Sequence, residues 1–346
     1  MAPAQTSAAT ISVVVVTFRQ GEELRPALTA LTAQLRDGDE LIVVDNASGD
    51  STPDVALDVA PTARVICNQE NTGFPGACNV GAAEAKGDLL VFLNPDAVPA
   101  AGWREAIERP LNDGSGWTAW QALVTAEGGS VVNTRGGVVH FTGIAWAGGA
   151  GEPVTPLVAA EPGFVSGACL AIPRAEFDRL GAFSADFFLY HEDVDLSLRA
   201  RLAGGRLGVV PDARVDHDYE FDKGPAKWRY LERNRWATLL RAYPAALLFL
   251  LTPVLAATEL ALIPASIAGG WFGQKARAWG DTIRALPRLV RERRAVQATR
   301  TTTAAEFAQG LTPSLDSPYL GAASRSGPLE ALLGGYWRFV LRLLGG

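Results

Sequence analysis

Four short aliphatic, β-branched runs punctuate the first hundred positions: ISVVVVTF (11–18), ELIVVD (40–45), ARVICN (63–68) and DLLVFLN (88–94). Runs of this length without polar alternation predict strands buried on both faces. The stretches between them, Glu22–Leu35, Thr52–Ala60 and Pro75–Ala85, are helix-like. This alternation predicts an α/β fold with a parallel, doubly wound sheet, whose ligands bind outside the carboxyl ends of the strands. The informative residues are then TFRQ, DNAS, NQENTGF and NPDA, each just past a strand.

Behind position 220 the pattern changes. KWRYLERNRWATLLRAYP (227–244) interleaves Trp228, Tyr230 and Trp236 with Arg229, Arg233, Arg235 and Arg241. That mixture suits a membrane interface or a lipid-linked diphosphate. From Ala245 to Phe272 the only charge is Glu259, a length that permits a membrane span. Pro253, Glu259 and Pro264 predict that the run breaks into pieces too short to cross. Basic residues on both flanks, Arg233, Arg235 and Arg241 before and Lys275 and Arg277 after, place both ends on the cytoplasmic side. Re-entrant or interfacial helices are therefore expected on the cytoplasmic face of the membrane. KARAWGDTIRALPRLVRERR adds seven basic residues against two acidic ones, which suits anionic headgroups. Residues 296–327 read as a Ser/Thr/Ala/Gly linker. LEALLGGYWRFVLRLL ends the chain as an amphipathic patch suited to the membrane or to a homodimer contact. The expected units are 1–225 (α/β catalytic), 226–295 (membrane-associating helices) and 296–346 (linker and C-terminal helix).

Charge sharpens this division. Residues 1–220 carry 14 Lys/Arg against 29 Asp/Glu, a net of −15, and residues 221–346 carry 17 against 8, a net of +9. The basic rear coincides with the apolar run, which favours a membrane surface over nucleic acid. At 346 residues and 48% hydrophobic content the chain can build a sizeable core. Cys67, Cys78 and Cys169 have no metal or redox spacing, and their odd number argues for a reducing compartment. The N-terminus lacks the basic n-region of a secretory signal.

No G-x-G-x-x-G follows the first strand, and no G-x-x-x-x-G-K-[ST], G-x-S-x-G or H-E-x-x-H occurs, which argues against dehydrogenase, P-loop, serine-hydrolase and zinc-protease chemistry. Instead the second strand ends in Asp45 and the fourth in Asn94-Pro95-Asp96. A carboxylate after the second strand can accept from a ribose or a base N–H. One after the fourth can hold Mg²⁺ or Mn²⁺ beside a diphosphate. Taken singly, Asp45 could also be a turn and helix cap, and Asn-Pro-Asp an ordinary turn. YHEDVDLSLR (190–199) crowds His191, Glu192, Asp193 and Asp195 together; Asp195 and Arg199, at i,i+4 on a predicted helix, read as a structural pair. Cys78 and Cys169 read as small buried packers.

In order along the chain, VVVVTFRQGEEL, LIVVDNASGDST, NQENTGFPGACNVGAAEAKGDLLVFLNPDA, VSGACLAIPRAEF and FLYHEDVDLSLRARLAGGRLGVVPDARVDH resemble the blocks of the inverting family 2 glycosyltransferases. The similarity covers about residues 11–240 and is nearest to the rhamnosyltransferase-like members that build bacterial cell-wall and surface polysaccharides. It implies a GT-A fold, Rossmann-like with a mostly parallel sheet and helices on both faces. It further implies that Thr17 and Asp45 hold the nucleotide base, with Arg19 beside them. Asn71, Gly73 and Asn79 would shape the ribose–diphosphate cradle, and Asp96 and His217 would hold a divalent metal, Mg²⁺ or Mn²⁺. The family's metal motif is often Asp-x-Asp; here Asn94 offers only a neutral amide. Asp193 would be the general base and Glu192 an acceptor-orienting neighbour. Crowding among Glu192, Asp193 and Asp195 should make Asp193 a stronger base. Trp228, Arg233, Asn234 and Arg235 would face the acceptor or membrane. The activity implied is transfer of a sugar, best read as L-rhamnose from dTDP-rhamnose (or from a UDP-linked donor), to a polyprenyl-diphosphate saccharide. A sugar-1-phosphate nucleotidyltransferase and a non-catalytic nucleotide-sugar-binding membrane protein are the competing readings. The first lacks its Gly-rich loop after strand one, and the intact Asp96, Asp193 and His217 oppose the second.

Overall fold

A computed structural model describes residues 9–156, 161–218, 224–317, 319–320 and 326–345. The four apolar runs form β1 (Ile11–Thr17), β2 (Glu40–Asp45), β3 (Arg64–Cys67) and β4 (Leu89–Leu93). They pair in parallel in the order β3-β2-β1-β4. Between them lie α1 (Arg25–Thr32), α2 (Thr52–Val59) and α3 (Gly73–Glu84). Strand periodicity divides the core. Val13 and Val15 face α1 with Leu24, Leu28 and Leu31, whereas Val14 and Val16 face Ala77 and Cys78 of α3. Both sheet faces are therefore covered, as the unalternating sequence requires.

The second half of the sheet departs from a mostly parallel arrangement. β5 (Val98–Pro99) and α4 (Trp103–Glu108) precede β6 (Trp117–Ala126) and β7 (Val131–Thr134), and a hairpin comes next, β8 (Gly137–Val139) with β9 (Ala145–Ala147). β10 (Cys169–Pro173) inserts antiparallel between β4 and β6. After α5 (Arg174–Leu180) and α6 (Glu192–Leu202), β11 (Arg206–Asp216) pairs parallel with β6 and antiparallel with β5. The nine-stranded sheet is thus mixed, because β10 returns without a crossover helix. Cys78 and Cys169 are fully buried, as expected of small packers.

The rear half is helical: α7 (Ala226–Ala242), α8 (Ala245–Ala268), α9 (Phe272–Ala298), α10 (Ala304–Ala308) and α11 (Gly327–Leu344). Two expectations are corrected here. Pro253 and Pro264 lie inside one continuous 24-residue α8, so the apolar run is not broken. At 1.5 Å per residue it is about 36 Å long. Within the expected 296–327 linker, residues 304–311 are not free: α10 and the turn after it bury Phe307, Ala308 and Leu311 in a third core; residues 318 and 321–325 lie outside the described residues. That core also takes Leu198 of α6, Leu239 of α7, Leu247, Leu251 and Leu255 of α8 and Trp337 of α11.

A buried ionic cluster locks α7, α8 and α9 together. Lys275, fully buried, lies 2.5 Å from Glu232 and 2.9 Å from Glu259. Arg235 pairs with both glutamates and donates to the Thr142 carbonyl at 3.1 Å. Trp236 and Trp279 donate their indole N–H groups to Glu259. Arg235 and Lys275 are thus internal rather than headgroup-facing, and Arg241 is likewise buried, which corrects their assignment to basic membrane flanks. Removing one member of a buried pair strands its partners' charge. Arg235→Ala is expected to lower the unfolding free energy by about 3–5 kcal/mol, read by urea denaturation in detergent; a loss near zero would mean that the cluster is hydrated.

Candidate active site

The carboxyl ends of β1 and β2 set the first part of the site. Thr17 and Asp45 are register partners and both buried, with Thr17 Oγ1 3.5 Å from Asp45 Oδ1. The Ser48 N–H donates to Asp45 at 3.2 Å, so the Asp45 carboxylate also organises its own turn. Arg19 adopts φ 58° and its N–H donates to Ser48 Oγ at 2.8 Å.

Asn46, to which the sequence assigned no role, organises the next loop. Its Oδ1 accepts from Asn68 Nδ2 and the Thr72 N–H, each at 3.0 Å. Its Nδ2 donates to Asn71 Oδ1 at 3.0 Å and the Gly73 carbonyl at 3.2 Å. Asn71 Oδ1 in turn accepts from the Gly73 N–H at 2.9 Å. Gly73 has φ +75° and its Cα faces the Phe188 backbone so closely that a Cβ would collide with it. The adjacent Phe74 N–H donates to the Phe188 carbonyl at 2.8 Å. Asn79 does not join this loop. Its amide spans to the Phe183 backbone through reciprocal 2.9 and 3.1 Å bonds, bracing α3.

At the end of β4, Asp96 Oδ1 lies 3.1 Å from His217 Nε2, just past the end of β11. Asn94 Nδ2 is 3.5 Å from the same nitrogen. His217 is buried, whereas the Asp96 side chain is half exposed. A carboxylate oxygen and an imidazole nitrogen this close suit an O/N metal site. Among the described residues no third His, Cys, Asp or Glu joins them.

The densest chemistry lies at the start of α6. Phe188, Tyr190 and His191 have φ of 62°, 68° and 71°. Non-glycine residues in that region cost roughly 1–3 kcal/mol each and persist only where surroundings enforce them. The turn leads into Glu192, which is buried, and Asp193, which is half-buried. Asp193 Oδ2 accepts from the Gly167 N–H at 3.0 Å and Oδ1 from the Val194 N–H at 2.8 Å. Burial still raises its pKa against those two donors. Glu192 is 7% exposed, and its Oε2 has no hydrogen-bond partner among the described residues. Burial, and then the charge of Asp193, pushes its pKa up to about 8. Asp195 behaves differently. Arg199 at 2.8 Å and Arg241 at 3.1 Å hold it ionised, so it is structural as expected but does not help to raise Asp193. His191 is pushed down to about 4 by burial and then by the Arg235 charge.

The four rear residues expected to face acceptor or membrane divide. Trp228 stacks on Trp271 at 4.7 Å. Arg233 donates to the carbonyls of Asp186 and Phe187. Asn234 is 1% exposed and donates to the same turn, and Arg235 sits in the ionic cluster. Asn234 and Arg235 are therefore not acceptor-facing: burial and internal partners take them out of reach.

The model of the family described as "Glycosyl transferase family 2" matches residues 12–137. The N-acetylglucosaminyl-diphospho-decaprenol L-rhamnosyltransferase of Mycobacterium tuberculosis is 30% identical over 263 residues, 66% of this chain and 83% of that protein. The chain belongs to glycosyl transferase family 2. Among solved structures, GalNAc-T7 with UDP, GalNAc and Mn²⁺ aligns over 69% of this chain and 49% of its own, with TM-score 0.57 and 18% identity. The Pyrobaculum calidifontis mannosyltransferase with GDP-Man and Mn²⁺ aligns over 98% and 87%, with TM-score 0.50 and 18% identity. These likenesses show the GT-A fold implied by the sequence. The family match ends before β10, so the Glu192–Asp193 pair lies outside it and rests on geometry.

Proposed function

We propose that this family 2 glycosyltransferase is an inverting enzyme that moves L-rhamnose from dTDP-L-rhamnose to a polyprenyl-diphosphate-linked saccharide at the cytoplasmic membrane face. A UDP-linked donor is the second choice. The observation that carries the reading is the carboxylate pair, Glu192 buried and Asp193 half-buried, that follows the turn whose Phe188 backbone meets Gly73. The name of the mycobacterial relative supports the sugar and the lipid-linked acceptor. In the reaction, Asp193 takes the proton of an acceptor hydroxyl as its oxygen attacks the anomeric carbon. The bond from that carbon to the diphosphate breaks on the opposite face, and its electron pair leaves with the nucleoside diphosphate. Thr17 and Asp45 hold the base, Asn46 shapes the cradle through Asn71 and Gly73, and Glu192 lies beside the base as a neutral carboxyl. Asp96 and His217 fit a divalent cation, which when bound would neutralise charge on the departing diphosphate.

The rear helices support a membrane location. α8 is long and apolar enough to cross a membrane by length and composition. Yet it buries Leu247, Leu251 and Leu255 against the third core and pins Glu259 to Arg235 and Lys275. A helix held along one side by protein suits an in-plane position better than an isolated span. Its other side exposes Phe249, Leu260 and Ile267, and α9 exposes Ile283, Leu286 and Val290. Arg277, Arg284 and Arg291, exposed and seven residues apart, flank that second stripe, as an interfacial helix on anionic lipid requires.

The test is turnover of dTDP-L-rhamnose and UDP-sugars with a polyprenyl-diphosphate N-acetylglucosamine acceptor and Mn²⁺ or Mg²⁺. Sugar on the lipid with inverted anomeric configuration is the expected result. Diphosphate made from a nucleoside triphosphate and a sugar 1-phosphate would instead establish a nucleotidyltransferase, and donor binding without turnover a binding protein. Full-length protein should sediment with membranes and need detergent for release; quantitative recovery in the soluble fraction would overturn the membrane reading.

A further inference from the structure

The face that α7 turns toward the catalytic segment has a regular spacing. Asn234, Thr238 and Arg241 recur at i, i+4 and i+7, which places them on one side of the helix. Each meets a successive part of the chain running into α6. Asn234 Nδ2 donates to three backbone carbonyls, Phe187 at 3.0 Å, Leu189 at 2.9 Å and Tyr190 at 2.7 Å. Thr238 Oγ1 lies 3.4 Å from His191 Nδ1. Arg241 reaches Asp195 Oδ1 at 3.1 Å and Ser184 Oγ at 2.8 Å. Asn234 Oδ1 accepts from Arg233 Nε at 2.9 Å, which fixes which end of the amide faces the turn.

We propose that Asn234 is a positioning residue for the transfer reaction: its amide holds the left-handed turn at Phe188–His191 so that Asp193 and Glu192 stand against the donor-side loop. The proposal rests on the reading of Asp193 as base. The turn has three non-glycine residues at positive φ. Its Phe188 and His191 carbonyls accept from the Phe74 and Asp195 N–H groups, and the Asn234 amide donates to the Leu189 and Tyr190 carbonyls between them and to Phe187 just before. The same turn carries the Phe188 carbonyl that accepts from the Phe74 N–H beside Gly73. Its position therefore fixes the gap between donor and base, where a displacement of about 1 Å can cost 10²-fold in rate.

Asn234→Asp tests this with an isosteric group that has no donor and repels all three carbonyls. Full-length protein in detergent is assayed for dTDP-L-rhamnose hydrolysis, which needs the base but no acceptor, and for dTDP binding by calorimetry. Positioning predicts that kcat falls about 10²-fold or more while KM and dTDP affinity stay within about threefold of wild type. Chymotrypsin supplies a readout independent of activity: cleavage at Phe188 or Tyr190 should accelerate in the variant while its thermal transition remains cooperative. Thr238→Val, which removes only the His191 contact, should give a smaller effect of the same kind. Wild-type kcat in Asn234→Asp overturns the proposal, as does an equal loss of rate and dTDP affinity. Unchanged chymotrypsin protection also overturns it. If Asn234→Asp fails to fold, Thr238→Val decides, and wild-type rate and protection there count against positioning. Absence of turnover in wild type with every nucleotide sugar would refute the glycosyltransfer reading instead, and the protease result would still judge the clamp.

Discussion

Asp193→Asn is expected to slow transfer by at least ~10²–10⁴-fold, the range for loss of a general base, with nucleotide affinity near wild type. Asn keeps the shape and can still accept from the Gly167 N–H, so the fold around it should survive, but it cannot take a proton. Equal loss of rate and donor affinity would point to a structural role. The neighbouring carboxyl adds a signature in pH. Glu192 holds its proton up to about pH 8, facing Asp193 and the buried thiol of Cys78. As pH rises through 8 a second negative charge appears beside the base, in a site from which a diphosphate must leave. The rate should therefore fall on the alkaline side, and Glu192→Gln should flatten that limb. Stability runs the same way. Between the ordinary carboxyl value of 4.5 and about 8 the folded chain keeps a proton that the unfolded chain has released. Through this group stability declines as pH rises across that window, opposed below about 6.5 by the buried neutral His140 and His191; above 6.5 the decline in melting temperature should show, and Glu192→Gln should reduce it.

Chelation is the second large effect. If Asp96 and His217 hold a divalent cation, excess chelator should abolish transfer, and Mn²⁺ or Mg²⁺ should restore it. Asp96→Ala should lose metal-dependent dTDP binding, because it supplies the charged ligand of the pair; His217→Ala should be milder. Full activity in excess chelator would remove the metal from the mechanism and leave arginine side chains to neutralise the diphosphate.

The parallel half of the fold was legible because buried strands write themselves as aliphatic runs: β1 to β4 fall within a residue or two of where those runs lie. The Asp195–Arg199 pair was legible for a similar reason, since i,i+4 spacing is local. Asn46 was not, because an asparagine in DNAS looks like any turn former until the loop that it organises, 22 to 27 residues on, folds against it. Arg235 misled for the converse reason. Its partners Glu259 and Thr142 are 24 and 93 positions away, so sequence displayed an arginine among aromatics and not an internal ion pair. The prolines in α8 were overweighted: an N–H lost in a helix braced by neighbours does not end it. The face at 234, 238 and 241 was present in the periodicity, but polar residues at helical spacing are normally read as solvent-facing.

The ionic cluster bears on how this enzyme could be rebuilt. Its four charges come from α7, α8 and α9, and α7 also grips the turn before Glu192. A chimera joined at Pro244, where the apolar run invites a cut, would part Glu232 and Arg235 from Glu259 and Lys275 and lose the Arg235–Glu259 and Lys275–Glu232 contacts that tie the helices together. The exchangeable block starts before Ala226 and includes α7, so a graft of α8 and α9 must also bring the helix that grips the turn before Glu192.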